Sequence, residues 1–202
     1  DAVLKDIRAE SAQRLIVSVV AGAPIRRITD ACGPNARVIR TMPNTPAMVH
    51  EGMTAIAIGE GVGEDDTACV RQMFESVGKV VPVEERLMDA VTGLSGSGPA
   101  YVFLVMEALI DAAVHLGFPR HVAHDLVIET LEGSTLFAKS SGMHPAQLRN
   151  MVTSPGGTSA AALHELESGR LRTVLSEAVW AAYRRTEELG QMLERETSDD
   201  AG

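Results

Sequence analysis

At 202 residues, the chain can bury a sizeable core and can form one large domain or two small ones. Its formal net charge of -9 and its lack of a basic run exclude a nucleic-acid partner, because such proteins concentrate Lys and Arg on one face. The two cysteines, Cys32 and Cys69, have no CxxC spacing, so we expect reduced thiols without a chemical role.

The first segments of the chain read as helix, strand and helix. Ala2 to Arg8 has a helical pattern without an N-terminal cap and without a preceding Met, so we expect that an N-terminal portion of the protein is missing. Arg14 to Val20 is a β-branched and apolar run typical of a buried strand, and Ala21 to Pro24 breaks it. A helix is predicted from Pro24 to about Cys32.

The alternation of strand and helix continues to about residue 83. Strands are predicted at Ala36 to Thr41, Met53 to Ile58 and Lys79 to Val83, with a helix at Asp65 to Val77. This order predicts an α/β layer with a largely parallel sheet. From Glu84 to about Met192 only helical patterns follow, which predicts a second, all-helical domain over residues 84–192.

Two of these predicted helices are apolar beyond one face. Ala100 to Leu116 is apolar nearly all round, yet Glu107 and Asp111 interrupt it, so we expect a buried helix of a soluble, cytoplasmic protein and no membrane partner. In the helix from Leu171 to Leu189, Trp180 and Tyr183 lie off the apolar stripe. The stripe consists of Leu171, Val174, Leu175, Ala178, Val179, Ala182 and Leu189. A second chain can cover the additional apolar faces of such helices, which predicts an intertwined homodimer.

Residues 193–202 form a polar tail that we expect to be disordered.

The segment Thr153 to Ser159 carries the strongest signal for a binding site. Gly156 and Gly157 let the backbone turn, so the N–H groups that open the following helix can point at one oxyanion, such as a small carboxylate. The alternative is an ordinary helix capped by Ser154 or Thr158.

Leu94 to Tyr101 is a second Gly-Ser segment that leads into a helix. Its backbone N–H groups could bind a ligand at the start of the helix. The alternative interpretation of this segment is a flexible turn capped by Ser97. Two such segments in one domain favour a small anionic ligand bound between helix N-termini.

Two further loops follow predicted strands, where open α/β sheets bind ligands. In Arg40 to Pro46, Asn44 can both donate to and accept from a ribose or a carboxamide, although a turn between two prolines is the alternative. In Val20 to Pro24, small residues would let a flat ring approach, and a tight connection explains them equally well. His121 and His124 share a helix face without a third ligand, so no metal site is predicted.

In chain order, these segments resemble pyrroline-5-carboxylate reductase, the NAD(P)H-dependent enzyme that makes proline. The segments are Val19 to Gly22, Arg40 to Pro46, Glu51 to Gly52, Leu94 to Tyr101 and Leu148 to Gly157. In that family a Rossmann-like domain precedes a helical domain that dimerises by intertwining, and dimers often assemble further. The resemblance implies a partial Rossmann-like dinucleotide-binding domain over residues 1–83, an all-helical dimerisation and substrate domain over residues 84–192, and reduction of 1-pyrroline-5-carboxylate with NADPH or NADH.

The resemblance also implies roles for individual residues. It places cofactor contacts at Ala21, Gly22, Met42, Asn44, Thr45 and Asn150, the last of these towards the substrate end of the site. It places substrate contacts at Ser97, Ser154, Gly156, Gly157, Thr158 and Ser159. We expect the amides of residues 157–159 to bind the substrate carboxylate and the hydroxyl of Ser159, the catalytic group, to contact the imine nitrogen. Imine reduction then needs no strong acid and no metal.

The chain departs from the family pattern at two places. Ser159 stands where the family usually has threonine, which keeps the hydroxyl and loses the methyl group that fixes its rotamer. The first strand and the Gly-rich pyrophosphate loop of the family are not in this sequence, so we expect weak cofactor binding. A related imine or oxo-acid reductase and a dimerisation and substrate-binding module without turnover stay open as alternatives.

Overall fold

The computed structural model describes Leu4, residues 14–33 and residues 35–199, with side chains up to residue 193. The predicted opening helix, Leu4 apart, and residues 200–202 of the predicted tail lie outside the described residues. The chain divides into two compact units, one with residues 1–99 and 178–202 and the other with residues 100–177. The unit that contains the sheet is therefore larger than the predicted domain of residues 1–83, because the segment after the last strand and the end of the last helix pack with it.

The sheet unit is built on four strands that follow one another in sequence and in space. They are β1 (Leu15–Ser18), β2 (Arg37–Met42), β3 (Gly52–Ile58) and β4 (Gly78–Pro82), in that order across the sheet. β1 pairs with β2 and β3 with β4 in parallel, whereas β2 and β3 are antiparallel. The connection from Pro43 to Glu51 is too short for the crossover that parallel pairing needs. The predicted α/β layer is confirmed, and its sheet is mixed.

Both faces of the sheet are covered, because the side chains of each strand alternate between two cores. On one face, Val38 and Met42 of β2 pack with Ile28 of helix α1 (Ile25–Cys32). On the other face, Ile39 of β2 packs with Val70 of helix α2 (Glu64–Glu75). The residues of β2 are therefore buried on both faces of the sheet.

After β4 the described chain is helical. The remaining helices are α3 (Met88–Val91), α4 (Gly98–His115), α5 (Arg120–Ser141), α6 (Pro145–Met151), α7 (Thr158–Ser168) and α8 (Leu171–Asp199). A π-helical turn over Thr92–Gly96 joins α3 to α4. The amide of Ser97 donates to the carbonyl of Thr92 over 2.8 Å. The alternative of a flexible turn was therefore wrong for Leu94 to Gly96, because these residues are helical, and Ser97 bends between this turn and α4.

The helix at Ala100 to Leu116 was expected to be buried, but a single chain leaves several of its large apolar side chains exposed. Val102, Phe103 and Leu104 of α4 are 47%, 59% and 66% exposed. By length and composition alone, the helical stretch Glu85–His115 is apolar enough to cross a membrane, a weak indication because core helices of soluble proteins pass the same test.

Helix α8 packs through a face that includes only part of the predicted apolar stripe, such as the half-buried Val179. Tyr183 is half-buried and Thr186 is 3% exposed, whereas Val174 and Leu175 of the predicted stripe are 56% and 41% exposed. The face is set by close contact of the α8 backbone with Gly22 and Gly93 of the sheet unit. The helix continues to Asp199, into the segment that was expected to be disordered, and residues 191–199 contain no Gly or Pro to end it.

A buried ion pair fixes α3 to the sheet. Arg40 of β2 donates from Nη2 to Oδ1 of Asp89 over 2.6 Å. The Arg40 side chain is 3% exposed and that of Asp89 is 29% exposed. The Nε atom of Arg40 is buried without a hydrogen-bond partner among the described residues. Asp89 therefore supplies the compensation that this buried guanidinium requires.

We expect Asp89→Asn to lower the free energy of unfolding by about 2–3 kcal/mol, since breaking a buried pair leaves an uncompensated charge. Urea unfolding measures the change. Asp30→Asn is the matched control, because the Arg26–Asp30 side chains are 90% and 72% exposed and such a pair contributes little. Equal effects of the two substitutions would contradict this account of Asp89.

Candidate functional site

The loop after β1 places small residues at the carboxyl end of the sheet. Val19 and Val20 are 54% and 52% exposed there, and Ala21 is half-buried. Gly22 is buried with a φ of 71°. A Cβ atom on Gly22 would lie 2.8 Å from the amide nitrogen of Gly190 in α8. Gly22, a predicted cofactor residue, thus needs to be glycine because of its contact with α8.

The loop after β2 is held by the amide of Asn44. Its Oδ1 accepts from the backbone N–H of Met53 over 2.8 Å. Its Nδ2 donates to the carbonyl oxygen of Ser95 over 3.3 Å, with the Ser95 hydroxyl oxygen at 3.4 Å. Met42 is buried, and Thr45 is exposed at the start of a 3-10 turn. Asn44 therefore connects the β2–β3 loop to the π-helical turn, a structural role that the sequence did not reveal.

These contacts bring together two parts of the predicted site within the sheet unit. Asn44 contacts Ser95, which lies two residues before Ser97. Met42 lies beside Gly96, where an added Cβ would come within 3.5 Å of the Met42 sulfur. Neither Ser95 nor Met53 was among the predicted site residues, and no local sequence signal marks them because both contacts are tertiary.

Helix α7 begins after a tight turn and has no side-chain cap. The amide of Gly157 donates to the carbonyl of Ser154 over 3.1 Å. Pro155 and Gly156, whose φ is 69°, occupy the two central positions typical of a type II turn. Gly157 is the N-cap residue, and no side chain hydrogen-bonds to the helix start. The alternative of a helix capped by Ser154 or Thr158 was therefore wrong.

The first amides of α7 are not those that we predicted. Gly157 N–H is used in the turn, and the first helical bond runs from Ala161 N–H to the Gly157 carbonyl over 3.2 Å. The amides of Thr158, Ser159 and Ala160 thus have no acceptor among the residues that the structure describes. An anion is favoured at such a helix start by the donors and by the helix dipole.

Ser159 lies at the second position of α7 and is half-buried. Its hydroxyl makes no hydrogen bond to any side chain or backbone group in the described part of the chain. Ser154 and Thr158 are exposed. The arrangement offers three amides and one free hydroxyl on one turn of helix.

Asn150 lies near the end of α6, in the same compact unit as α7. Its side chain is exposed, and its carbonyl accepts from the amide of Thr153 over 3.2 Å. Ala21, Gly22, Met42, Asn44, Thr45 and Ser97 belong to the sheet unit. The predicted site residues therefore form two sets, one in each unit.

Tyr183 of α8 lies against the π-helical turn through its backbone, since a Cβ on Gly93 would approach the Tyr183 nitrogen to 3.0 Å. Its phenol donates to Oε1 of Glu187 over 2.6 Å. This hydrogen bond raises the pKa of Tyr183, and desolvation and the nearby carboxylates of Glu187 and Asp89 act in the same direction. Tyr183 is therefore a neutral phenol near pH 7 and no candidate for a base.

Comparison with known proteins identifies the family of this chain. Residues 85–189 match the sequence model described as pyrroline-5-carboxylate reductase dimerisation. The pyrroline-5-carboxylate reductase of a Synechocystis strain is 47% identical over 95% of this chain and 71% of its own length. The Arabidopsis thaliana enzyme of that name is 46% identical over 90% of this chain and 65% of its own length. The chain thus spans about two thirds of these relatives.

Solved structures agree with the sequence comparison. A Plasmodium falciparum pyrroline carboxylate reductase with NADP bound superposes with a TM-score of 0.90 at 34% identity, covering 94% of this chain and 76% of the other. A pyrroline-5-carboxylate reductase from Coxiella burnetii gives a TM-score of 0.86 at 37% identity, covering 93% and 71%.

The contacts of Asn44 predict a loss of stability without any cofactor. We expect Asn44→Ala to lower the free energy of unfolding by about 2 kcal/mol, since the Met53 amide loses its acceptor. Asn44→Asp keeps that acceptor and loses only the donor to the Ser95 carbonyl, so we expect it to lower the free energy of unfolding by about 1 kcal/mol. Urea unfolding of the ligand-free protein checks both values. Asn150→Ala is the control, because that side chain is exposed and makes no hydrogen bond within the described residues. An Asn44→Ala protein as stable as the control would rule out the structural role.

Proposed function

The chain belongs to the pyrroline-5-carboxylate reductase family, and from this premise we propose that it reduces 1-pyrroline-5-carboxylate to proline with NADPH or NADH. The observation that carries the proposal is the uncapped start of α7, where free amides stand beside the hydroxyl of Ser159. The relatives from Synechocystis and Arabidopsis thaliana are named pyrroline-5-carboxylate reductase, and the related Plasmodium falciparum structure contains NADP.

In the proposed reaction, the substrate carboxylate binds the amides of Thr158, Ser159 and Ala160. These donors fix the ring, so that the imine carbon and nitrogen occupy defined positions. The Ser159 hydroxyl donates a hydrogen bond to the imine nitrogen and directs a proton there. When bound, a nicotinamide nucleotide would supply the hydride for the imine carbon. The charge on the carboxylate is matched by the helix dipole, so the protein needs no cationic side chain at this point.

The residues at the carboxyl ends of β1 and β2 fit a nicotinamide nucleotide. Val19 and Val20 give an exposed apolar surface that a flat ring can cover, and the half-buried Ala21 beside them has a small side chain. Arg27 carries a positive charge and lines the same cavity as Val19 and Val20. In this proposal, Met42 and Thr45 flank Asn44 at the neighbouring loop, and Asn150 is a further cofactor contact.

A homodimer is the assembly that the dimerisation family and the exposed apolar helices both support. Phe103 and Leu104 of α4 are more than half exposed in one chain, and residues 85–189 match the dimerisation model. Burying such surface against a second copy is the main driving force for association. We further propose that dimers assemble into a higher oligomer and that the protein works in the cytoplasm as a soluble enzyme.

The Ser159 hydroxyl is tested with NADPH and NADH oxidation at 340 nm in the presence of pyrroline-5-carboxylate. We expect Ser159→Ala to lower kcat about 100-fold through the lost proton transfer. Ser159→Thr should retain activity, since it keeps the hydroxyl. Ser168→Ala is the matched control at the other end of α7, where the serine is exposed, and it should be unchanged.

The other outcomes decide between functions. Binding of proline without oxidation of either cofactor would indicate the dimerisation and substrate-binding module. Turnover of imines or oxo acids that lack the ring carboxylate would indicate the related reductase. Full activity of Ser159→Ala would remove that hydroxyl from the mechanism.

The dimer is tested at α4. We expect Leu104→Asp to weaken self-association by about 100-fold, because a carboxylate buried without a partner is strongly unfavourable. Sedimentation velocity over a concentration series measures this. Met73→Asp on α2 is the control, since Met73 is similarly exposed at 57% and lies outside the matched dimerisation segment. Dimers of unchanged affinity in Leu104→Asp would place the interface elsewhere.

A further inference from the structure

Helix α8 meets the loop after β1 backbone to backbone. A Cβ atom on Gly190 would lie 2.7 Å from the carbonyl oxygen of Gly22. A Cβ on Gly22 would lie 2.8 Å from both the amide nitrogen of Gly190 and the carbonyl oxygen of Thr186. No side chain separates the two segments, so neither rotamer changes nor side-chain flexibility can relieve a clash there.

The position of Gly190 inside a helix needs a physical reason. Glycine in a helix interior is less favourable than alanine by about 1 kcal/mol. Gly190 lies well inside α8, which continues to Asp199. The close approach to Gly22 supplies the reason, since any larger residue at position 190 has to displace the loop or the helix.

The same face of α8 contacts a second loop of the sheet unit. A Cβ on Gly93, in the π-helical turn, would lie 3.1 Å from the carbonyl of Val179 and 3.0 Å from the amide nitrogen of Tyr183. Val179, Tyr183, Thr186 and Gly190 follow one another at helical spacing. One helix face thus fixes the loop of Gly22 and the turn that holds Asn44.

We propose that Gly190 is a positioning residue of the reductase, which lets α8 hold the Ala21-Gly22 loop where it binds the nicotinamide nucleotide. The proposal rests on the proposed function, since that function gives the loop its ligand. Gly190 contacts no reacting atom and acts through the backbone of Gly22. Its influence is therefore on cofactor binding and not on the chemical step.

Gly190→Ala tests the proposal against Gly133→Ala. Gly133 also lies inside a helix, and within one chain an added Cβ would meet no atom within 4 Å. Both substitutions gain the same helix propensity, so only the contact with Gly22 distinguishes them. Hydrogen exchange of residues 19–24 without cofactor measures the loop itself, and steady-state kinetics measure the KM for NADPH and kcat.

We expect Gly190→Ala to accelerate exchange of residues 19–24 and to raise the KM for NADPH about tenfold, with kcat changed less than about twofold. Gly133→Ala should leave all three values unchanged. Unaltered exchange in Gly190→Ala, or a loss confined to kcat, overturns the proposal. A further outcome is accelerated exchange in Gly190→Ala although even the wild-type protein neither binds nor oxidises NADPH. That result would uphold the contact between Gly190 and Gly22 and would overturn the cofactor function on which the proposal rests.

A wild-type measurement covers the case in which Gly190→Ala does not fold. Adding NADP to the wild-type protein should slow exchange in residues 19–24 and in residues 186–193 together. Protection of the loop without protection of the helix segment overturns the proposal.

Discussion

The contact of α8 with two glycines is the constraint on which the sheet unit depends. Gly22 follows β1, Gly93 lies in the π-helical turn, and the same helix face covers both without an intervening side chain. The backbone atoms of α8 lie so close to both glycines that there is no room for a methyl group. The close packing therefore requires residues without a side chain at these two positions. The turn at Gly93 in turn holds Asn44 through Ser95. The loops that follow β1 and β2 are therefore fixed by tertiary contact, and their own sequences do not determine their positions.

The two units differ in how far they bury their apolar residues within one chain. In the sheet unit, α1 and α2 cover opposite faces, so β2 is buried along most of its length within one chain. The helical unit leaves large residues of α4 exposed, including Phe103 and Leu104. A helix that is apolar all round has no stable place on the surface of a single chain. Association with a second copy is thus part of how this sequence completes its core, in agreement with the family to which it belongs.

Sequence patterns predicted the sheet unit well because strand and helix periods are local. β2 was expected at Ala36 to Thr41 and lies at Arg37–Met42. The π-helical turn was missed, since Leu94 to Gly96 has the composition of a loop and yet is helical. The free amides at the start of α7 were predicted one residue early, at residues 157–159, because the turn uses the Gly157 amide. The roles of the individual site residues came from the family resemblance, and they remain predictions because no contact within this chain identifies their ligands.

The strand order has a consequence for how the chain folds. Each strand of the sheet pairs with its neighbour in sequence, so the sheet can form through successive short closures that cost little loop entropy. The contact between Gly22 and Gly190 joins segments from opposite ends of the described chain and needs a far longer closure. We therefore expect the sheet to form early and the docking of α8 to be a late event. The loop after β1 would then acquire its native conformation last, although it adjoins the first strand of the sheet.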